Sequence, residues 1–340
     1  MELRDRLLLC ALCPNMCRFA CPMEEAAGTE SSSPQGKSRT SLLLLEGVMP
    51  WTEENARPPY QCLDCQACRR FCPFDFDLSS LYHPARREAV RRGVLPPEVR
   101  SRLSSLREHG NPFGERAERE VGRGEVAYLP GCTVEFRERE ILSSTLLLLE
   151  RAGIRAATLR GYCCGLPAFR MGDEEEAGRR LEELEEALRS SGAGTLLLSC
   201  PGCFEFLSER LGEWRVVHLS VFLLELVEGG RLRLPSLSGR VTYHDPCSLG
   251  RKKGLFDPPR RLLRLLGLEL VEPPKTREEA VCCGGGNPLE EARGVSRRRA
   301  EELRGTGAEL VVTTCPTCKW ALGREGLRVV ELSQLVGVRG

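Results

Sequence analysis

Cysteine spacing constrains this chain more than any other feature. Eighteen of its 340 residues are cysteine, and all of them fall into four groups. The run Cys62-x2-Cys65-x2-Cys68-x3-Cys72-Pro73 has the spacing with which four thiolates hold a [4Fe–4S] cluster. A near copy, Cys10-x2-Cys13-x3-Cys17-x3-Cys21-Pro22, precedes it with one extra residue. The other ten cysteines repeat a second pattern twice: one Cys, then a Cys-Cys pair, then Cys-x2-Cys. The first copy is Cys132, Cys163-Cys164, Cys200-x2-Cys203, and the second is Cys247, Cys282-Cys283, Cys315-x2-Cys318.

Length and composition set the frame for these groups. A chain of 340 residues exceeds one ordinary hydrophobic core, so two or three domains are expected. Hydrophobic content of 41%, charged content of 29% and a net charge of +1 describe a soluble globular protein with no bias toward nucleic acid or an anionic membrane. The richest apolar runs, Leu42 to Leu45 and Leu146 to Leu149, stop at Glu46 and Glu150. They fall far short of the roughly 18–20 residues that cross a bilayer. The N-terminus leads through Arg4, Asp5 and Arg6 into the first cysteines, without signal-peptide architecture. These features predict a cytoplasmic, reducing setting, with membrane attachment only through a partner subunit. In that setting cysteines read as metal ligands rather than disulfides.

Three regions follow: 1–118 with both four-cysteine groups, 119–235, and 236–340. Between the first two groups the polar stretch Gly28 to Ser41 reads as a flexible loop, and Ala85 to Arg92 as a helix with a solvated arginine face. The last two regions are an internal duplication. Val126 to Cys132 corresponds to Val241 to Cys247, Tyr162 to Gly165 to Val281 to Gly284, and Leu196 to Cys203 to Val311 to Cys318. The offset is 115 residues from Cys132 to Cys247 and again from Cys200 to Cys315. Strand-like runs at Val126–Leu129 and Thr195–Leu198 alternate with amphipathic stretches such as Glu174 to Arg189, which predicts α/β units with mostly parallel sheets. The cysteines then fall at or just beyond strand ends, the edge where open α/β sheets build sites.

In paired four-cysteine runs the first three cysteines wrap one cluster and the fourth, before Pro, reaches the other. That assigns Cys62, Cys65, Cys68 and Cys21 to one cluster, and Cys10, Cys13, Cys17 and Cys72 to the second. The five-cysteine groups admit alternatives. Zinc takes four ligands and favours two Cys-x2-Cys knuckles, whereas each group here has one knuckle, a vicinal pair and a lone Cys. Adjacent cysteines suit a cluster whose neighbouring thiolates go to different irons; a vicinal disulfide remains a rival. Gly165, Gly284 and Gly285 follow the pairs and would let backbone N–H groups approach sulfur.

The repeated Cys, Cys-Cys-Gly, Cys-x2-Cys pattern resembles the cysteine-rich CCG domain of heterodisulfide reductases. The whole arrangement is similar to the catalytic iron–sulfur subunit of that family, and also to the iron–sulfur subunits of glycolate oxidase and anaerobic glycerol-3-phosphate dehydrogenase. The resemblance implies a helical ferredoxin domain with two cubane [4Fe–4S] clusters, followed by two duplicated α/β CCG domains. It implies that Cys132, Cys163, Cys164, Cys200 and Cys203 hold one noncubane [4Fe–4S] cluster, and that Cys247, Cys282, Cys283, Cys315 and Cys318 hold another. The implied activity passes electrons from the cubane clusters to noncubane clusters that cleave or form a disulfide of a small thiol substrate. The alternative is an electron-transfer subunit of a flavoprotein oxidase or dehydrogenase with no substrate site of its own. Both imply a flavoprotein, cytochrome b or similar partner, since no G-x-G-x-x-G follows a predicted strand. His244, just ahead of Cys247, is the candidate catalytic residue, as a proton donor to a leaving thiolate or a hydrogen-bond donor to cluster sulfur. Gly36-Lys37-Ser38 lacks the earlier glycine of a phosphate loop and is rejected as one. His218 reads as structural, and Trp320 as shielding or core.

Overall fold

The apolar runs of the duplicated region are short and each is followed by a helix, so the chain returns to the same sheet edge after every strand. The computed structural model describes residues 1–337. Strands β1 (Glu120–Val121), β2 (Val126–Leu129), β3 (Ala156–Arg160), β4 (Thr195–Leu198) and β5 (Arg215–His218) form one sheet in the order β1-β3-β2-β4-β5. Its pairs are parallel except β1 against β3. Strands β6 (Arg240–His244), β7 (Glu269–Leu270), β8 (Leu310–Thr313) and β9 (Val329–Glu331) form a parallel sheet in the order β7-β6-β8-β9. The second order reproduces β3-β2-β4-β5 of the first, so the duplication seen in sequence is a duplication of topology. Even the buried tyrosines match: Tyr128 Oη bonds Ser199 Oγ and Tyr243 Oη bonds Thr314 Oγ1, both at 2.8 Å.

The two sheets share one core. Val126, Tyr128, Leu197 and Val217 of the first pack in the same apolar cluster as Val241, Tyr243 and Val312 of the second, with Leu223, Leu226, Leu262 and Leu263 from intervening helices. A shared core fixes the halves against each other and turns their cysteine-bearing edges toward a common space.

The N-terminal region is helical: Leu3–Leu12, Pro22–Ala27, Pro34–Leu45, Glu53–Tyr60, Leu78–Arg92 and Pro97–His109. Two expectations fail here. Gly28 to Ser41 is not a flexible loop. A short turn at Glu30–Ser32 leads into the helix Pro34–Leu45, capped by Ser33 Oγ accepting from Gly36 N at 3.0 Å. Its small residues reflect close packing, because a Cβ on Gly36 would overlap the Glu30 carbonyl oxygen. The helix after Cys72 begins earlier, at Leu78, and Arg86 on it is 3% exposed rather than solvated.

The helical region is clamped to both halves. Arg57 forms forked hydrogen bonds with Glu98 and with Glu291 of the second half, with Nη2 to Glu291 Oε2 at 2.7 Å. Tyr60 Oη shares its proton between two carbonyls, Arg86 O and Met171 O, each at 3.1 Å. Among the described residues no helix is long and apolar enough to cross a membrane.

Candidate functional site

The helical region builds two thiol clusters. Cys21, Cys62, Cys65 and Cys68 line one pocket together with Lys37, Leu63 and Tyr82. Cys21 therefore leaves its own run and joins the first three cysteines of the next. The neighbours of Cys10 are Cys72 and Cys13, and those of Cys17 are Cys10 and Cys72, which gathers the other set. Burial pushes the Cys10 thiol up to about 11 and the Cys17 and Cys62 thiols up to about 12, with neighbouring thiolates adding to the first two and Asp64 to Cys62. Such groups ionise readily only when a cation draws off the charge, which suits a metal cluster.

Lys37 supplies a charge that sequence reasoning missed. It is 2% exposed, and its Nζ donates to Cys21 Sγ at 3.3 Å. Burial opposes the ammonium charge, but Cys21, Cys62 and Cys68 outweigh it and hold the pKa above the usual lysine value. The only signal in the sequence is a lysine set among small residues, which invites comparison with a phosphate loop rather than with a cluster.

In the duplicated halves the cysteines follow strand ends. Cys132 and Cys247 lie three residues beyond β2 and β6, and Cys200 and Cys315 lie two beyond β4 and β8. Proline at Pro201 and Pro316 begins a helix after each, so the backbone N–H of the knuckle's second cysteine points back at the first sulfur: Cys318 N to Cys315 Sγ is 3.3 Å. Cys283 Sγ and Cys318 Sγ approach to 3.1 Å, and all eighteen cysteines are free thiols. The vicinal-disulfide alternative is therefore not the arrangement the fold adopts.

Gly165 and Gly284 explain their position by sterics. Both have left-handed φ, +86° and +74°. A Cβ on Gly165 would sit 2.6 Å from Ala177 O, and one on Gly284 would overlap Ala292 O, its counterpart 115 residues on. Each glycine lets the paired cysteines lie flat on the following helix, and Gly284 N reaches Cys282 Sγ at 3.4 Å. A Cβ on Gly285 would meet Ala321 Cβ at 2.7 Å, so it too is held by packing. Gly284→Ala is expected to cost at least about 1–2 kcal/mol from backbone strain alone and more from the overlap. Gly286→Ala, whose Cβ would meet only Arg170 Nη1 at 3.7 Å, should be near neutral. Anaerobic thermal denaturation with iron analysis separates the two.

The two thiol sets face one cavity of about 1350 Å3, counting its open mouth. Nine of the ten cysteines of the duplicated region line it; the tenth, Cys163, packs instead among Val99, Leu103 and Leu106 of the helical region. Thr133 Oγ1 and Thr317 Oγ1 meet across the halves at 3.1 Å. Phe113 and Trp320, stacked edge to face at 6.0 Å, form part of the wall, with Pro112, Leu63 and Leu166. Trp320 thus borders the cavity.

Cys65 of the helical region packs with Cys247 and Cys282 of the second half. Contact with Cys282 is the main cause that lowers Cys65 to about 5, with the Arg251 guanidinium adding to it. Arg251, one helical turn beyond Cys247, donates through Nε to Cys65 O at 2.7 Å and through Nη1 to Ala280 O. Sequence reasoning did not single it out.

His244 does not line the cavity. It is fully buried behind Cys283 and Cys318, with one ring nitrogen and both sulfurs within 4.8 Å of one another. Nδ1 accepts from Arg299 Nε at 3.2 Å. Burial, then Arg299, lowers its pKa, so the ring is neutral with its proton on Nε2. A protonated nitrogen beside a guanidinium is a poor metal ligand, which disfavours a single ion held by His244, Cys283 and Cys318. The donor sets fit iron–sulfur clusters better: thiols in sets of four and five, with Arg251 Nη2 and His244 Nε2 left unpartnered beside them.

Residues 6–76 match the family profile of the 4Fe-4S dicluster domain, and residues 126–208 and 241–323 each match that of the cysteine-rich domain. The chain is 29% identical over 310 residues to an iron–sulfur relative from Methanosarcina mazei, one of the polypeptides of its dihydromethanophenazine:CoB–CoM heterodisulfide reductase, covering 82% of this chain and 76% of that one. It is 27% identical over 355 residues to an EtfAB:quinone oxidoreductase of Syntrophomonas wolfei, covering 92% of this chain but 49% of the relative. A hypothetical protein from Helicobacter pylori shares the fold with a TM-score of 0.58 and 11% identity, over 89% of this chain and 67% of that one.

Proposed function

Because the chain belongs to the iron–sulfur oxidoreductase subunits that join a 4Fe-4S dicluster domain to two cysteine-rich domains, we propose that it moves electrons through its helical region to a disulfide held between its halves. Cys21, Cys62, Cys65 and Cys68 would hold one cubane cluster, and Cys10, Cys13, Cys17 and Cys72 the other. Each five-cysteine set would hold a noncubane cluster. Clusters in these positions supply electrons one at a time and, in the noncubane sets, an iron open to sulfur.

The observation that carries this reading is the single cavity lined by nine cysteines drawn from both halves. A relay needs no such space. Cleavage is balanced as R–S–S–R′ plus two electrons and two protons giving two thiols. The pseudo-twofold halves offer one thiolate set to each sulfur. The walls of Pro112, Phe113, Leu166 and Trp320 exclude water, and the hydroxyls of Thr133, Thr317 and Ser248 are positioned to hydrogen-bond the separating sulfurs or to pass protons to them. His244, set behind its cysteines, acts on sulfur charge rather than as the acid.

A second reading, an electron relay between a flavoprotein and a quinone or other carrier, is favoured by the match that spans 92% of this chain in a relative named for quinone reduction. In either case the donor is a flavoprotein, cytochrome b or similar subunit, and any membrane attachment comes through it.

Mössbauer and EPR spectra of anaerobically purified protein, with and without added small thiols, distinguish the readings. Disulfide chemistry predicts cubane and non-cubane signals, the latter altered by thiol. Spectra with cubane signals alone, unmoved by thiols, would remove the first reading.

A further inference from the structure

The duplication makes the halves comparable residue by residue, and the comparison exposes a difference in charge. Ala177 and Ala292 abut the equivalent glycines, so the 115-residue offset holds through the helices Glu174–Ser191 and Glu291–Arg304. On that alignment His244 corresponds to Leu129, Arg299 to Leu184, and Arg251 to Phe136. Leu129 and Leu184 pack with Cys164 and Cys203 in an apolar cluster. Behind the same sulfurs of the second half stand instead an imidazole and a guanidinium, both 0% exposed.

We propose that the two cysteine-rich sites are electrically unequal by construction, the second half's cluster having the higher reduction potential because Arg299, His244 and Arg251 stabilise negative charge on its sulfurs. Arg299 occupies Nδ1 and so fixes the imidazole proton on Nε2. Nε2 has no other partner, and the acceptors within reach of the ring are the sulfurs of Cys283 and Cys318. Hydrogen bonds to cluster sulfur favour the reduced form, which carries the extra negative charge. Arg251 adds a buried cation beside Cys247 and Cys282, and among the described residues no carboxylate lies within ion-pair distance of it.

Other charges do not cancel this difference. Arg170 has both Cys200 and Cys247 as neighbours and is paired with Glu205 at 2.9 Å. Arg102 stands near Cys132, but it lies on the cavity wall, where solvent screens it, and its bond to Gly286 O is 3.4 Å. Glu302 neutralises part of the Arg299 charge from the far side, at 2.7 Å from Nη1. The hydrogen-bond chain through His244 remains. An electron entering the cavity pair therefore rests first on the second half, beside Cys65, and a first-half cluster in apolar surroundings is the stronger reductant.

The inference rests on each half holding a cluster, which iron and sulfide analysis of the same samples checks independently. The test is a potentiometric EPR titration of the full chain. Wild type should give two separate midpoints for the cysteine-rich sites. His244→Leu and Arg299→Leu should move the higher midpoint to more negative potential and leave the lower one in place, while His244→Gln, which keeps an N–H donor, should restore part of the shift. Two midpoints that coincide in wild type would overturn the proposal even if no variant loads its clusters. So would an unmoved higher midpoint in a fully loaded His244→Leu protein. Full iron content with coincident midpoints sinks this inference alone, whereas absent iron in both halves sinks the functional reading itself.

Discussion

Replacing Arg86 with alanine is expected to destabilise the folded chain by about 3–5 kcal/mol, the cost of breaking a buried ion pair from one side. The guanidinium makes bonds to Pro59 O at 3.0 and 2.9 Å, Cys62 O at 2.9 Å, Arg170 O at 2.7 Å and Asp64 Oδ2 at 3.0 Å. It thus ties the loop of cluster ligands to the first cysteine-rich half. Burial opposes ionisation of Asp64, yet Arg86 and then Arg170 hold its carboxyl below the ordinary range. Without Arg86 that carboxylate is buried with only Arg170, 3.8 Å away. The sign with pH follows. In wild type the depressed carboxyl contributes stability above its unfolded pKa of about 3.9, lost as pH falls through the folded value. In the variant that contribution is gone, so the gap from wild type should narrow in acid. Anaerobic thermal unfolding at fixed scan rate reads both effects, and an Asp64→Asn, Arg86→Met double variant should recover part of the loss. A single-variant loss below about 1 kcal/mol, the level of a surface pair, would contradict this account.

The cysteine groups and the duplication are legible because they are patterns of spacing, and spacing survives folding. Cys132 and Cys247 stand at equivalent strand ends because 115 residues separate them in sequence and one sheet order is repeated. Spacing also suffices to place five thiolates at one end of each half. It does not place the two ends opposite each other, since that depends on Tyr128 and Tyr243 entering one shared core. Buried charge is the other blind spot. Arg86 looks like its neighbours Arg87 and Arg91 on a basic helix, and only the carbonyls of Pro59 and Cys62, brought in from another helix and loop, tell it apart. Gly28 to Ser41 misleads for a related reason. Small polar residues are what a loop uses, and also what a helix uses when another backbone lies against it. His244 stands out by its nearness to Cys247, but its place behind Cys283 depends on Arg299, 55 residues further on.

Cys21→Ser and Cys65→Ser are expected to abolish the same cluster although 44 residues separate them, while Cys72→Ser is expected to abolish the one lost in Cys10→Ser. The crossing follows from the pocket shared by Cys21, Cys62, Cys65 and Cys68, against the grouping of Cys72 with Cys10 and Cys17. Each variant should lose about four irons per chain. The consequences differ because the sites differ in position. Cys65 packs on Cys247 and Cys282, so losing that cluster removes the step that adjoins the cysteine-rich halves. Lys37 sharpens the effect in Cys21→Ser: its ammonium is buried against that sulfur, and removing a full thiolate leaves the cation without its nearest counter-charge. Iron analysis and EPR of the reduced variants read the pairing directly. If Cys21→Ser erased the signal missing from Cys10→Ser and spared the one missing from Cys65→Ser, the ligands would not cross, and the path from the helical region into the cavity would have to begin elsewhere.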